Sequence, residues 1–263
     1  MSAPLAVVTG ASRGLGRALA LGLAERGHRL LLVARGPADL AAVATEACAR
    51  GAAEVVAEPL DVGDTATQVA ALRRLDADLG GFDLVIANAG VGPPPRSRGR
   101  VAPMSDALAA PCHINFCGAI ATLTAALPAM VARGRGHLVG ISSLSSYGAL
   151  PASAPYCAPK AGLSMALECL RLDVAPRGVA VTTVYAGFID TAMVAHRREA
   201  MPQLLSPEAA ARRILDALPE RPPRIDFPQP LAWAARAAAR LPRALRDPVV
   251  RSLAGEHDRS RRG

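Results

Sequence analysis

The sequence predicts a doubly wound α/β fold in one domain: a parallel sheet of about seven strands with helices on both faces. Three observations carry this. Short apolar runs alternate with helical segments from residue 5 to 218. The runs are apolar throughout, as strands covered on both faces require. The first of them empties into a glycine loop that opens a helix, the start of a βαβ unit.

Taken in order, strands are expected over 5–9, 29–34, 53–60, 83–87, 137–142 and 179–185, with a seventh over 224–227. Helices are expected over 14–26, 37–50, 65–79, 104–132, 154–174 and 207–218. Gly27, Gly51, Gly80-Gly81 and the Gly134/Gly136 pair punctuate the helix ends. The stretch from Ala107 to Ala132 has no Asp, Glu, Lys or Arg. Its alanines, Pro111, His113, Asn115 and Pro128 predict a helix at a core or subunit interface, and not a membrane span. Pro- and Arg-rich residues 91–103 and residues 187–206 are the long connections expected to line a substrate pocket. Residues 229–254 form a helical extension, and 255–263 a frayed tail. The whole of 1–263 is one domain.

Composition narrows the function. Aromatic residues are 3% of the chain, so Ala, Val, Leu and Ile must build the core. The net charge of +8 is spread along the chain, denser only in the loop 96–100 and near the C-terminus. Base-stacking aromatics are scarce and no nucleic-acid motif is present, so no nucleic-acid partner is expected. Cys48, Cys112, Cys117, Cys157 and Cys169 form no C-x-x-C pair. Cys112 and Cys117 flank His113, but too few ligands converge for a metal site. Reduced thiols and an N-terminus that begins almost at once with a strand predict a cytoplasmic protein.

Strand 5–9 runs into Thr9-Gly10-Ala11-Ser12-Arg13-Gly14-Leu15-Gly16. Gly10 permits the turn, Gly14 a close approach of backbone to pyrophosphate, and Gly16 the packing of helix on strand. Backbone N–H groups at the helix start suit phosphates, so the loop predicts dinucleotide binding in the manner of Rossmann-type folds. The second strand ends at Arg35, where NAD-preferring sites carry Asp or Glu. Arg35, helped by Arg13, can clamp a 2′-phosphate. NADP(H) is therefore the preferred cofactor and NAD(H) a possible one.

The chain holds one lysine, Lys160, and two asparagines, Asn88 and Asn115. Lys160 follows Tyr156 by four residues, one turn along a helix face. A cation there favours phenolate and lowers the tyrosine pKa, which suits proton transfer to or from a substrate oxygen. Ser143, at the end of the fifth strand, can hold the same oxygen.

With these residues in order, the chain resembles the short-chain dehydrogenase/reductase family in its compact single-domain branch. The resemblance covers residues 5–218. It rests on Thr9-Gly10-x-x-x-Gly14-x-Gly16, Asp61-Val62, Asn88-Ala89-Gly90, Asn115, Ser143 and Tyr156-x-x-x-Lys160. It implies a carbonyl–alcohol oxidoreductase acting on a small molecule, as a homodimer or homotetramer. Tyr156 would be the acid/base. Lys160 would tune it and hold the nicotinamide ribose, Ser143 would polarise the carbonyl, and Asn115 would hold a relay water. Asp61 and Val62 would meet adenine. Asn88 would brace the sheet, with Ala89 and Gly90 lining the cofactor. Ile189 and Thr191 would meet the carboxamide and phosphates. Gly187 keeps the turn where the family often has Pro-Gly, here Ala186-Gly187. Pro159 stands where the family commonly has Ser and removes an N–H near the start of the catalytic helix. Ser142 is the rival serine, and Tyr147 and Tyr185 are rival tyrosines without a lysine at i+4. Tyr147 is expected to border the substrate pocket.

Two alternatives remain: a catalytically silent NADP(H)-binding sensor on the same fold, and an extended-branch sugar-nucleotide enzyme, disfavoured by chain length. From Leu231, Arg236, Arg240 and Arg243 share one helix face and Ala234, Ala238, Leu241 and Leu245 another. The Ala-rich face and Pro242 favour a helix that caps the substrate side or packs on a neighbouring subunit over one lying on a membrane.

Overall fold

The computed structural model describes residues 3–92, 104–151, 153–193, 201 and 203–259. Much of 91–103 and part of 187–206, expected as substrate loops, lie outside the described residues. So does the end of the tail from residue 260.

Seven strands form one all-parallel sheet: β1 (Leu5–Thr9), β2 (Arg29–Ala34), β3 (Glu54–Pro59), β4 (Leu84–Ala87), β5 (Gly136–Ser143), β6 (Val179–Ala186) and β7 (Arg224–Phe227). Their order is β3-β2-β1-β4-β5-β6-β7, so the winding reverses between β1 and β4. In open α/β sheets that reversal opens a crevice at the carboxyl ends of the strands. Thr9 pairs with Val33 of β2, and Val8 with Ile86 of β4.

Helices α1 (Gly14–Ala24), α2 (Pro37–Ala49) and α7 (Pro207–Ala217) cover one face. Helices α3 (Thr65–Asp78), α5 (Ala119–Arg133) and α6 (Ala154–Val174) cover the other. Two apolar cores result, built almost wholly from Leu, Val, Ile and Ala, with Phe82 and Phe227 their buried aromatics. The expected helix over 104–132 is divided. α4 (Met104–Cys112) ends just past Pro111, a π segment spans His113–Gly118, and α5 follows. Pro111 cannot donate within the helix, which loosens the turn there. Residues 107–133 are long and apolar enough to cross a membrane by composition. Here Leu123, Ala126 and Met130 are instead buried against the sheet. Two helices, α8 (Gln229–Arg240) and α9 (Arg243–Arg259), follow β7. Helix α9 extends to Arg259, into the segment from 255 expected to fray.

His137, on β5, is buried and its Nε2 lies 2.8 Å from Thr182 Oγ1. Thr182 donates its own hydroxyl proton to Pro222 O at 2.5 Å, so Nε2 carries the proton and donates to it. Burial, with Arg221 adding to it, pushes His137 down to about 4. An unfolded histidine takes its proton near 6.5, the folded one only near 4. Stability is therefore held above pH 6.5 and lost as pH falls to 4. The loss is about 3 kcal/mol for this group. Urea unfolding at pH 7 and pH 4.5 is expected to show it, and His137→Gln to reduce the difference.

Candidate active site

The brace at the switch point comes first. Thr9 Oγ1 accepts from the backbone N–H groups of both Asn88 and Ala89, each at 3.1 Å, and Asn88 Nδ2 donates to Thr9 O at 2.9 Å. A Cβ on Gly16 would lie 2.1 Å from Gly10 O and 2.5 Å from Asn88 Nδ2. Gly16 is thus required by a close approach of α1 to β1 and β4. Gly10, at φ +69°, sits against Ala89 and turns the chain into the helix.

α1 begins without a cap. Arg13 makes no side-chain cap, and no acidic residue lies in the first turn. By contrast, α3 is capped by Asp64 and α7 by Ser206. The first N–H groups of α1 therefore face the crevice with a positive dipole end and no anion of the chain's own. Arg13 and Arg35 are exposed at the ends of the glycine loop and β2. This donor set fits a phosphorylated dinucleotide: orphan amides, two cations and no carboxylate at Arg35.

The other predicted residues gather on the same edge of the sheet. Asp61 and Val62 follow β3, where Asp61 Oδ1 accepts from Gly63 N at 2.8 Å and Val62 is buried. Gly118 lets α5 approach this turn, since a Cβ there would stand 2.5 Å from Val62 O. His113, once weighed as a metal ligand, is hydrogen-bonded through Nε2 to Gly63 O. Past β6, Leu205 N donates to Phe188 O at 3.0 Å and Asp190 N to Leu205 O at 2.8 Å. That anchors the segment of Gly187, Ile189 and Thr191. A Cβ on Gly14 would meet the Thr191 methyl at 3.1 Å, so this segment reaches the glycine loop.

Asn115 is fully buried in the π segment. Its Oδ1 accepts from Val91 N at 2.8 Å, and its Nδ2 donates to Val91 O at 2.9 Å. The amide thus grips the chain just beyond Asn88-Ala89-Gly90. Sequence reasoning assigned it a water and did not foresee Val91.

Ser143 ends β5 and Tyr156 opens α6. Ser143 Oγ accepts from Ser145 N at 3.2 Å and from Ser145 Oγ at 3.0 Å. With both lone pairs engaged, its own proton is left for the Tyr156 oxygen. Burial pushes the Tyr156 phenol up, and the Ser143 hydrogen bond opposes it. The rival Ser142 faces away: its hydroxyl donates to Lys160 O at 3.0 Å and meets Ser164 Oγ at 2.7 Å. Sequence reasoning missed Ser145, although the run Ser142-Ser143-Leu144-Ser145-Ser146 advertised a hydroxyl cluster.

Lys160 corrects an expectation. It is 5% exposed, its Nζ donates to Ile141 O at 2.6 Å, and burial pulls it down to about 8. The expected lowering of Tyr156 by this cation is absent from the geometry. The tyrosine is raised, with burial as the leading cause, while the ammonium donates to the β5 carbonyl. Pro159 is accommodated: α6 runs unbroken from Ala154 to Val174, so Tyr156 and Lys160 stay one turn apart.

Tyr147 is held from several sides. It stacks on Tyr185 at 4.6 Å, donates to Asp226 Oδ1 at 2.7 Å, and accepts from Arg224. Burial, then Asp226, raises its pKa far above the usual value. These bonds tie the turn after Ser143 to β7.

Ser143 and Tyr156 are hydrogen-bonded, and Lys160 lies one turn further along α6. The family model described as short chain dehydrogenase matches residues 4–202, and the chain belongs to that family. It is a dehydrogenase/reductase. An "Uncharacterized oxidoreductase" of Myxococcus xanthus is 42% identical over 263 residues, covering 96% of this chain and 98% of the relative. A metagenomic short-chain oxidoreductase solved in complex with NADP is 30% identical at TM-score 0.70, covering 84% of this chain and 92% of that one. A 3-oxoacyl-[acyl-carrier protein] reductase from Brucella melitensis, solved in complex with NAD, is 25% identical at TM-score 0.78, covering 89% and 98%.

Gly16→Ala drives a methyl into Gly10 O and Asn88 Nδ2. It is expected to cost about 3 kcal/mol or more, read as a lower urea midpoint. Thr9→Val orphans two N–H groups and is expected to cost about 2–4 kcal/mol by the same measurement.

Proposed function

We propose that the protein interconverts a small carbonyl compound and its alcohol, using NADP(H) in preference to NAD(H). The observation that carries this is the pairing of a protonated Tyr156 with a Ser143 hydroxyl whose lone pairs are already taken. Two donors therefore converge where a carbonyl oxygen gains negative charge. The nicotinamide, when bound, supplies or accepts the hydride. Ser143 polarises the substrate oxygen and Tyr156 gives it the proton. Lys160, anchored on Ile141 O, carries positive charge one turn along α6 and would hold a ribose hydroxyl. Asn115 is a positioning residue that fixes Val91, with Ala89 and Gly90 beside it as cofactor lining.

Cofactor preference rests on Arg35, Arg13 and the uncapped start of α1. Gly10, Ser12, Gly14, Leu15 and Gly16 would cradle the pyrophosphate. Asp61 and Val62 would meet the adenine, and Gly187, Ile189 and Thr191 the nicotinamide end. The sensor alternative requires no acid/base group and leaves the Ser143–Tyr156 pair without a purpose. We further propose a cytoplasmic homo-oligomer that takes no nucleic acid. Free thiols at Cys48, Cys117 and Cys169 suit a reducing compartment. Exposed Met165 and Leu172 on α6 suit a subunit contact.

A panel of ketones, aldehydes and alcohols followed by NADPH and NADH absorbance tests the reading. On any substrate so found, Tyr156→Phe is expected to reduce kcat by about 10²-fold or more; unchanged turnover would overturn the mechanism. Arg35→Ala is expected to raise the KM for NADPH about tenfold with little effect on NADH. Carbonyl reduction should hold below pH 8 and fall above it, as Lys160 loses its proton near 8.

A further inference from the structure

From 241 to 252 no residue is buried. Helix α9 thus hides no face over its first turns, although a helix in water is held chiefly by the apolar face it buries. Helix α8 buries Ala232 and packs on β7 and on Leu144–Ser146. Its opposite side is open at 233, 234, 237, 240 and 241, a single stripe at helical spacing. The open positions 244, 245, 248 and 249 make a second stripe on α9. Of the exposed large apolar side chains, Trp233 (65%), Leu241 (43%), Leu245 (61%) and Val249 (55%) all lie here. Trp233 is the only tryptophan in a chain with few aromatics. The sequence-based reading of an alanine face left Trp233 out.

The charge around these stripes selects the occupant. Residues 229–252 contain five arginines and one carboxylate, Asp247. Asp247 is bonded to Arg246, and Arg236 is paired with Asp226. Arg240, Arg243 and Arg251 stay exposed beside the apolar stripe. A second copy of this chain would set arginine against arginine across a two-fold contact. An anionic bilayer answers both features: headgroups for the guanidinium groups, and an interfacial region for tryptophan, leucine and valine.

We propose that the α8–α9 surface docks on an anionic lipid bilayer, with Trp233 and Leu245 entering the interface. The docking face lies on the side of α8 turned away from Leu144–Ser146, the turn after Ser143. This proposal stands apart from the catalytic reading, and its test reads no enzyme activity.

The sole tryptophan supplies the test. Full-length protein is mixed at 0.15 M salt, where surface charge is screened beyond about 8 Å, with phosphatidylglycerol/phosphatidylcholine vesicles or with phosphatidylcholine alone. The expected result is co-sedimentation with the anionic vesicles and a shift of Trp233 emission to shorter wavelength, weakened by added salt. Leu245→Ser is expected to reduce vesicle affinity about tenfold, and its exposed position leaves the fold intact by circular dichroism. No pelleting and no shift would overturn the proposal. So would pelleting with unmoved emission, which places binding elsewhere on the surface. A shift that grows with protein concentration alone would assign the face to a second copy. A shift with soluble polyglutamate but not with vesicles would assign it to an acidic protein.

Discussion

The site depends on one contact, the clasp of Thr9 by Asn88 and Ala89 across the switch point of the sheet. β1 and β4 diverge there, and without a tie the crevice would be bounded by two loose strand ends. Thr9 Oγ1 holds two backbone donors while Asn88 holds the Thr9 carbonyl. Gly16 lets α1 settle onto the same atoms. The clasp fixes two things at once. It aims the uncapped start of α1 into the crevice, and it sets the path of the chain toward Val91, where Asn115 takes it over. Each bond is individually modest, of order 1 kcal/mol. Their effect is positional, because every one of them joins segments that carry the site.

The second constraint is electrostatic. A lysine 5% exposed is costly unless its charge has a partner. Lys160 finds a carbonyl and no carboxylate, and its pKa falls to about 8. It therefore keeps its charge at neutral pH by a narrow margin. Tyr156, raised by burial, keeps its proton by a wide one. The pair is poised as a neutral acid over a marginal cation. That arrangement favours giving a proton to an oxygen that has just gained charge. The serine is prepared in the same way, since Ser145 occupies its lone pairs and leaves only the donor.

Most of this was legible in the sequence. Seven strands and the order of motifs follow from apolar runs and glycines, because a parallel sheet covered on both faces writes itself as continuous hydrophobic segments. The one-turn spacing of Tyr156 and Lys160 along α6 was legible for the same reason. Less visible were contacts that depend on where loops return. The grip of Asn115 on Val91, the bond of Lys160 to Ile141 O and the Tyr147–Asp226 tie join residues between 19 and 79 positions apart. No local pattern encodes them. The π segment escaped too: Pro111 signals a broken turn, but not the direction in which the backbone relaxes. The cation's effect on Tyr156 was inferred from separation along the helix, whereas the ammonium's direction was set by a strand behind it.

The Tyr147–Asp226 tie also explains how a helical extension past the sheet can matter to the site. The Asp226 side chain is 6% exposed and meets Arg224 at 3.2 Å and Arg236 at 3.6 Å. A carboxylate so enclosed is held only while its partners stay in place, since losing one leaves an uncompensated charge. Arg236 belongs to α8, Arg224 to β7, and Tyr147 to the turn that follows Ser143. The angle of α8 on the sheet and the shape of the turn after Ser143 are therefore tied to one buried group. The exposed stripe with Trp233 is carried on the same rigid helix. Whatever covers that stripe bears on a body whose inner side is already locked to the loop that follows Ser143.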